Sequence, residues 1–104
     1  MGVKEGVDFK DSEVLKQIYT GAMEVFGQGI AIPSDNHMCG WDWIDFEYVD
    51  NAEEILEYRF DSTDISNGIY GRHEFSGLTL KEILIKTKGR FLFEINCNVD
   101  WEEK

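Results

Sequence analysis

Asp35-Asn36-His37-Met38-Cys39 gathers a carboxylate, an imidazole and a thiol within five residues. Zinc accepts all three ligand types, but a closed tetrahedral site needs a fourth ligand and short-spaced Cys or His pairs, which this stretch lacks. A Cys39 nucleophile would need His37 or His73 beside it and a third group to orient the imidazole. The stretch reads first as a polar loop, and second as a small enzymatic or metal-binding site built on His37 and Cys39. Asp61-Ser62-Thr63-Asp64 lacks the alternating ligands and the glycine of a calcium-binding loop. Gly27-Gln28-Gly29 follows a helical pattern where a phosphate-cradling loop would open one. The expectation is therefore a non-enzyme with no metal and no cofactor.

Charge is the stronger signal. The 104 residues carry 21 acidic against 10 basic side chains, a formal net charge of -11. Residues 42–64 hold nine acids and a single base, Arg59, so -8 of that charge falls within 23 residues. Side chains two apart on a strand share a face at about 6.8 Å, which would set Asp45 and Glu47 in one row. If 52–61 pairs back as a strand, Glu57 and Asp61 join them on the next. Like charges side by side cost stability, so folding alone does not ask for this crowding. A solvated face that aids solubility and metal binding by the acids compete with the favoured reading, a docking surface for a cationic partner. Its candidate residues are Trp41, Asp42, Trp43, Asp45, Glu47, Asp50, Glu53, Glu54 and Glu57. Trp and Tyr dominate interface hot spots. Phe46, Tyr48 and Tyr58 are expected in the core, and Trp41 and Trp43, out of phase with them, at the interface.

The acidic balance argues against direct contact with nucleic acid or anionic membrane, since both require Lys/Arg clusters. No apolar run approaches the roughly 20 residues of a membrane helix, and the first residues lack the apolar core of a signal peptide. Cys39 and Cys97 read as free thiols of a reducing compartment, so a cytoplasmic setting is expected. With 42% hydrophobic residues, the chain can bury a core and should form one domain over 1–104, with 1–10 as a flexible arm.

The positioning elements follow from periodicity. Val14, Leu15, Ile18, Ala22, Val25 and Phe26 recur at helical spacing over 11–27, with Asp11 or Ser12 as cap and Gly27 and Gly29 at the exit. Ile30-Ala31-Ile32 is a short apolar stretch, and Trp41 to Asp50 reads as a strand with a bulge between Trp43 and Ile44. Leu56, Tyr58 and Phe60 alternate with charged residues as a second strand, although Ala52–Leu56 could instead begin a helix. Asn67-Gly68 is a turn before a strand over 69–75. Thr79-Leu80-Lys81-Glu82 is a capping box opening a helix that runs to about Lys88 and stops at Gly89. Alternation from Phe91 to Trp101 reads as a long strand. The expected fold is α+β in the order α-β-β-β-β-α-β: a mainly antiparallel sheet of four to five strands with two helices on one face.

In size, charge and aromatic content the chain resembles two functional classes. These are immunity proteins of toxin nucleases, and phage or mobile-element inhibitors of host defence nucleases, including DNA mimics and anti-CRISPR proteins. The resemblance implies a small acidic inhibitor that binds a basic, nucleic-acid-facing surface of a partner protein, such as a nuclease. An immunity protein neutralising a toxin nuclease is the alternative, and an enzyme or metal-binding protein using His37 and Cys39 the second. The oligomeric state is left open.

Overall fold

Helix α1, Ser12–Val25, begins where Asp11 supplies the missing acceptors. Its Oδ1 takes the Glu13 N–H at 2.9 Å, and its carbonyl takes those of Val14 and Leu15. Leu15, Ile18, Tyr19 and Ala22 form the buried stripe. Gly21 is a seat for the Phe93 ring, which would lie 3.0 Å from an added Cβ. This computed structural model describes residues 10–25, 28–35, 40–65 and 74–93.

The chain then reverses at Gln28, whose φ of 60° puts a non-glycine residue in the left-handed region. Gly29 is needed for space: a Cβ there would run into the Ile44 carbonyl oxygen and come within 2.9 Å of the Trp43 ring. Strand β1, Gly29–Pro33, pairs antiparallel with β2, Trp41–Asp45, in an unbroken register from Gly29↔Asp45 to Pro33↔Trp41. Ile30, Ala31 and Ile32 are wholly buried. Single-residue bridges flank the pair, Leu92 on Ala31 and Ile65 on Ile44. Ile30, Ile32, Ile44, Phe46, Phe60, Ile83 and Leu84 form the centre of the core, and Phe46 packs between Tyr19 and Phe60 at 5.9 and 5.7 Å.

This corrects the expected sheet. The described residues contain two helices and a two-stranded antiparallel sheet, a small α+β arrangement, and not four to five strands. The expected bulge is absent from the β1–β2 register, because Asp42, Ile44 and Phe46 keep one phase and Trp41, Trp43 and Asp45 the other. The strand expected over 56–60 is replaced by a single 3-10 turn, Glu54–Leu56, and irregular chain. Asn51 is the local cause: its Oδ1 and carbonyl both accept the Glu54 N–H, at 2.9 and 3.1 Å, which offers the backbone an alternative to a ladder. Phe60 pairs instead with the turn at 77–78, donating to Leu78 O and accepting from Gly77 N. Of the strand over 69–75, residues 69–73 lie outside the described residues, and Glu74 and Phe75 are turn. Of the strand from Phe91, only the Leu92 bridge falls inside them.

Helix α2, Leu80–Lys86, carries the expected capping box, with Thr79 Oγ1 accepting from Glu82 N and Glu82 Oε1 from Thr79 N. Its exit differs from expectation. Lys88 N–H bonds to Ile85 O and Gly89 N–H to Leu84 O at 2.7 Å, the paired bonds of a Schellman motif. The left-handed position usually given to glycine is therefore Lys88, at φ 59°, with Gly89 following at 77°. An L-residue there costs about 1–2 kcal/mol. Lys88→Gly is expected to raise the free energy of unfolding by about 1 kcal/mol, read by chemical denaturation; a loss of stability would show that the lysine side chain outweighs its backbone strain.

Candidate functional site

The phase of β2 divides the candidate residues. Trp41, Trp43 and Asp45 point outward and are half-buried, while Asp42 points inward beside Ile44 and is completely buried. Asp42 thus cannot present its carboxylate to a partner, a correction that follows from strict two-residue alternation. The Arg90 guanidinium sits over the Trp41 ring at 5.9 Å, and the Trp43 ring covers Gly29. Both indoles spend part of their surface within the fold.

After Asp45 the chain leaves the strand, so Glu47 does not share a row with Asp45 but lies in a turn. That turn is braced on both sides. Asp45 Oδ1 accepts the Glu47 N–H at 2.8 Å, Phe46 N–H bonds to Gln28 O, and Val49 N–H bonds to Phe46 O. The Tyr19 hydroxyl donates to Val49 O at 2.9 Å from the buried face of α1. The result displays Tyr48, which is 55% exposed and not in the core, between the exposed Glu47 and Asp50. Phe46 is fully buried, and Tyr58 is half-buried against the core.

The remaining acids have distinct employments. Glu54 Oε1 accepts the Asp50 N–H at 2.8 Å. Glu53 pairs with Lys16 of α1 at 2.7 Å, and Lys16 also reaches Glu13 at 3.1 Å. Glu53 and then Glu13 hold that lysine above its ordinary value. Burial, then the charges of Asp50 and Glu54, push the Tyr19 phenol up. Arg59, the segment's one base, turns to Glu82 of α2 at 3.1 Å and to Gly77 O. The exposed side chains of Glu47, Asp50 and Glu57 form no ion pair among the described residues, whereas Glu53, also exposed, has Lys16.

Asp61 and Asp64, outside the candidate docking residues, join Tyr58 in one polar cluster. The Tyr58 hydroxyl donates to both Asp64 carboxylate oxygens at 3.1 Å, and Asp61 N–H bonds to Asp64 Oδ2 at 2.9 Å. Asp61 Oδ1 accepts the Thr63 N–H at 2.9 Å. The signal was present as two Asp residues three apart around Ser-Thr, a pattern that favours side-chain-closed turns.

A second feature lies at the far end of β1. A cleft of about 450 Å³ is lined by Lys86, Lys88 and Arg90 together with Asp35, Glu74 and Ser34. The Ser34 hydroxyl donates to Glu74 Oε2 at 3.1 Å, and both signs of charge are represented. His37, Cys39, His73 and Cys97 lie outside the described residues, so the enzymatic reading of the 35–39 stretch has no geometry attached to it. No group of three or more His, Cys, Asp and Glu among the described residues could hold a metal ion. Among them, too, no helix is long and apolar enough to cross a membrane.

Comparison with known proteins finds no matching family model, no matching curated protein and no matching solved structure. Since the Tyr19 hydroxyl holds the carbonyl of the turn that displays Tyr48, Tyr19→Phe leaves a buried acceptor without its donor. It is expected to cost about 1–3 kcal/mol in urea denaturation; a change below about 0.5 kcal/mol would mean the brace is dispensable.

Proposed function

We propose that this chain is a small acidic inhibitor that binds a basic, nucleic-acid-facing surface of a partner protein, the partner being a nuclease working in the same cytoplasmic setting. The observation that carries this reading is the braced turn after β2, where exposed Tyr48 stands between the carboxylates of Glu47 and Asp50. The half-buried Trp41 and Trp43 lie on the outer face of the adjoining strand. Carboxylates without internal cations raise the rate of encounter with a positive surface, and desolvated aromatics slow departure. The resemblance in size and charge to nuclease inhibitors supplies the partner's class, an anti-defence inhibitor before a toxin immunity protein.

Asp42 has no part in such a contact, and Asp45 and Glu54 contribute charge while also holding the backbone. The informative variant therefore changes Glu47, Asp50 and Glu57, whose side chains hold nothing inside the fold, to lysine together. Tagged wild type and the triple variant are used to capture partners from the source cell, and captured proteins are assayed for nucleic-acid cleavage with and without the chain. The expected result is a nuclease held and inhibited by the wild type and lost by the triple variant, whose denaturation midpoint stays close to that of wild type. Its association rate with wild type should fall about tenfold or more as ionic strength rises from about 0.01 to about 0.15 M. Equal capture by both chains, or an association indifferent to salt, would sink the reading.

A further inference from the structure

We propose that the cleft at the far end of β1 binds a small phosphate monoester, its phosphate held by Lys86, Lys88 and Arg90 and its sugar hydroxyls by Asp35 and Glu74. The cleft encloses about 450 Å³, within the range of sites that take small ligands. The exit of α2 brings three cations to its lining within five residues, and the end of β1 and the turn at 74–75 bring two carboxylates. Opposite charges so placed would be expected to pair. None of the five takes part in an ion pair among the described residues, whereas Lys16 and Arg59 have each found a carboxylate. The two sets share one cleft without closing it, which is the arrangement a bridging ligand requires.

Lys88 is the strained member. It sits at φ 59°, in the position of the helix exit that glycine fills without strain. Strain of this kind persists where a side chain has a use. Inside the fold Lys88 has none, for its side chain forms no hydrogen bond or ion pair among the described residues. Arg90 is held over the Trp41 ring at 5.9 Å, and a guanidinium so placed keeps its planar fork of donors for an anion. The buried Ser34 hydroxyl donates to Glu74 Oε2 at 3.1 Å. That bond fixes the carboxylate at the lining with acceptor sites to spare.

The charges select the ligand. Three cations match a phosphate monoester, which carries nearly two negative charges at neutral pH and three acceptor oxygens. A bare phosphate would meet Asp35 and Glu74 with repulsion alone. A ligand that also brings donors turns both carboxylates into partners, and the hydroxyls of a sugar are such donors. A metal ion would be repelled by the three cations in the same lining. The cleft lies apart from the turn that displays Tyr48, so the inference is independent of the proposed partner.

The experiment titrates ribose 5-phosphate, inorganic phosphate and ribose into the full chain at low ionic strength, read by calorimetry and by amide chemical shifts. Saturable binding of ribose 5-phosphate is expected, about tenfold or more tighter than inorganic phosphate, with none for ribose. Shifts should centre on Ser34, Lys88 and Arg90 and leave Tyr48 unmoved. Lys88→Gly, expected to be more stable than wild type, should bind about tenfold or more weakly. Asp35→Ala combined with Glu74→Ala should erase the preference for ribose 5-phosphate while inorganic phosphate binds no less tightly. The proposal is overturned by the absence of saturable binding, by equal affinity for the two phosphates in wild type, or by wild-type affinity in Lys88→Gly. Shifts centred on Tyr48, or a preference that survives loss of both carboxylates, would also overturn it. Should the double variant fail to fold, the wild-type comparison and Lys88→Gly decide the matter.

Discussion

Enclosure of β1 is the constraint from which the rest follows. Ile30, Ala31 and Ile32 have no contact with water, so each of their backbone groups must find a partner within the protein. Ala31 exchanges both bonds with Leu92, at 2.7 and 2.9 Å, on one side, and β2 pairs on the other. Because the β1 register is fixed by burial, the phase of β2 is fixed with it, and a slip of one residue would exchange Ile44 for Trp43 in the core. The division of the acidic segment into an interior Asp42 and an exterior Trp41, Trp43 and Asp45 is therefore a consequence of how an apolar triplet is wrapped, with nothing added for function.

Side-chain periodicity in this chain is more legible than backbone pairing. The burial alternation from Leu56 to Asp61 is present: Tyr58 and Phe60 turn inward while Glu57, Arg59 and Asp61 face water. The pattern implies a strand because a two-residue period normally accompanies a ladder. Here Asn51 closes a 3-10 turn just upstream, and Phe60 bonds to the 77–78 turn, so the alternation survives without strand pairing. Both helices and the capping box were legible because their signals are local. Gly29, expected at the exit of α1, lies in β1 while Gln28 takes a left-handed φ, and at the exit of α2 Lys88 precedes Gly89 in that region; Gly27 lies outside the described residues. Parity with Phe46 is what puts Tyr48 in the core on sequence grounds. Parity holds only while the strand lasts, and β2 ends at Asp45.

The density of carboxylates has a structural component that composition does not reveal. Asp45, Glu54, Asp61 and Asp64 each accept a backbone N–H in a stretch that has almost no ladder to satisfy it. Side-chain oxygens here do the work that a neighbouring strand would do in a regular sheet. That accounts for four of the nine acids between 42 and 64, and the ion pair with Lys16 for Glu53. Of the other four, Asp42 is buried, and any external role has to rest on Glu47, Asp50 and Glu57.

The same arrangement explains why the segment tolerates its own repulsion. Backbone N–H groups are fixed dipoles that stabilise a carboxylate without bringing in a compensating charge, so the surface stays negative while each turn stays closed. Arg59 could have neutralised its neighbours, but it is committed to Glu82 and Gly77 O across the fold. At Asp64 burial pushes the carboxyl up, against the pull of the Asp61 N–H and the Tyr58 hydroxyl, which favour its charged form. Asp64 receives the Tyr58 hydroxyl and the Asp61 N–H within this arrangement, so it too is served by dipoles without a cation. Folding around β1 and an uncancelled negative surface are compatible for this reason: the carboxylates that close the turns do so without the cations that would have erased the charge.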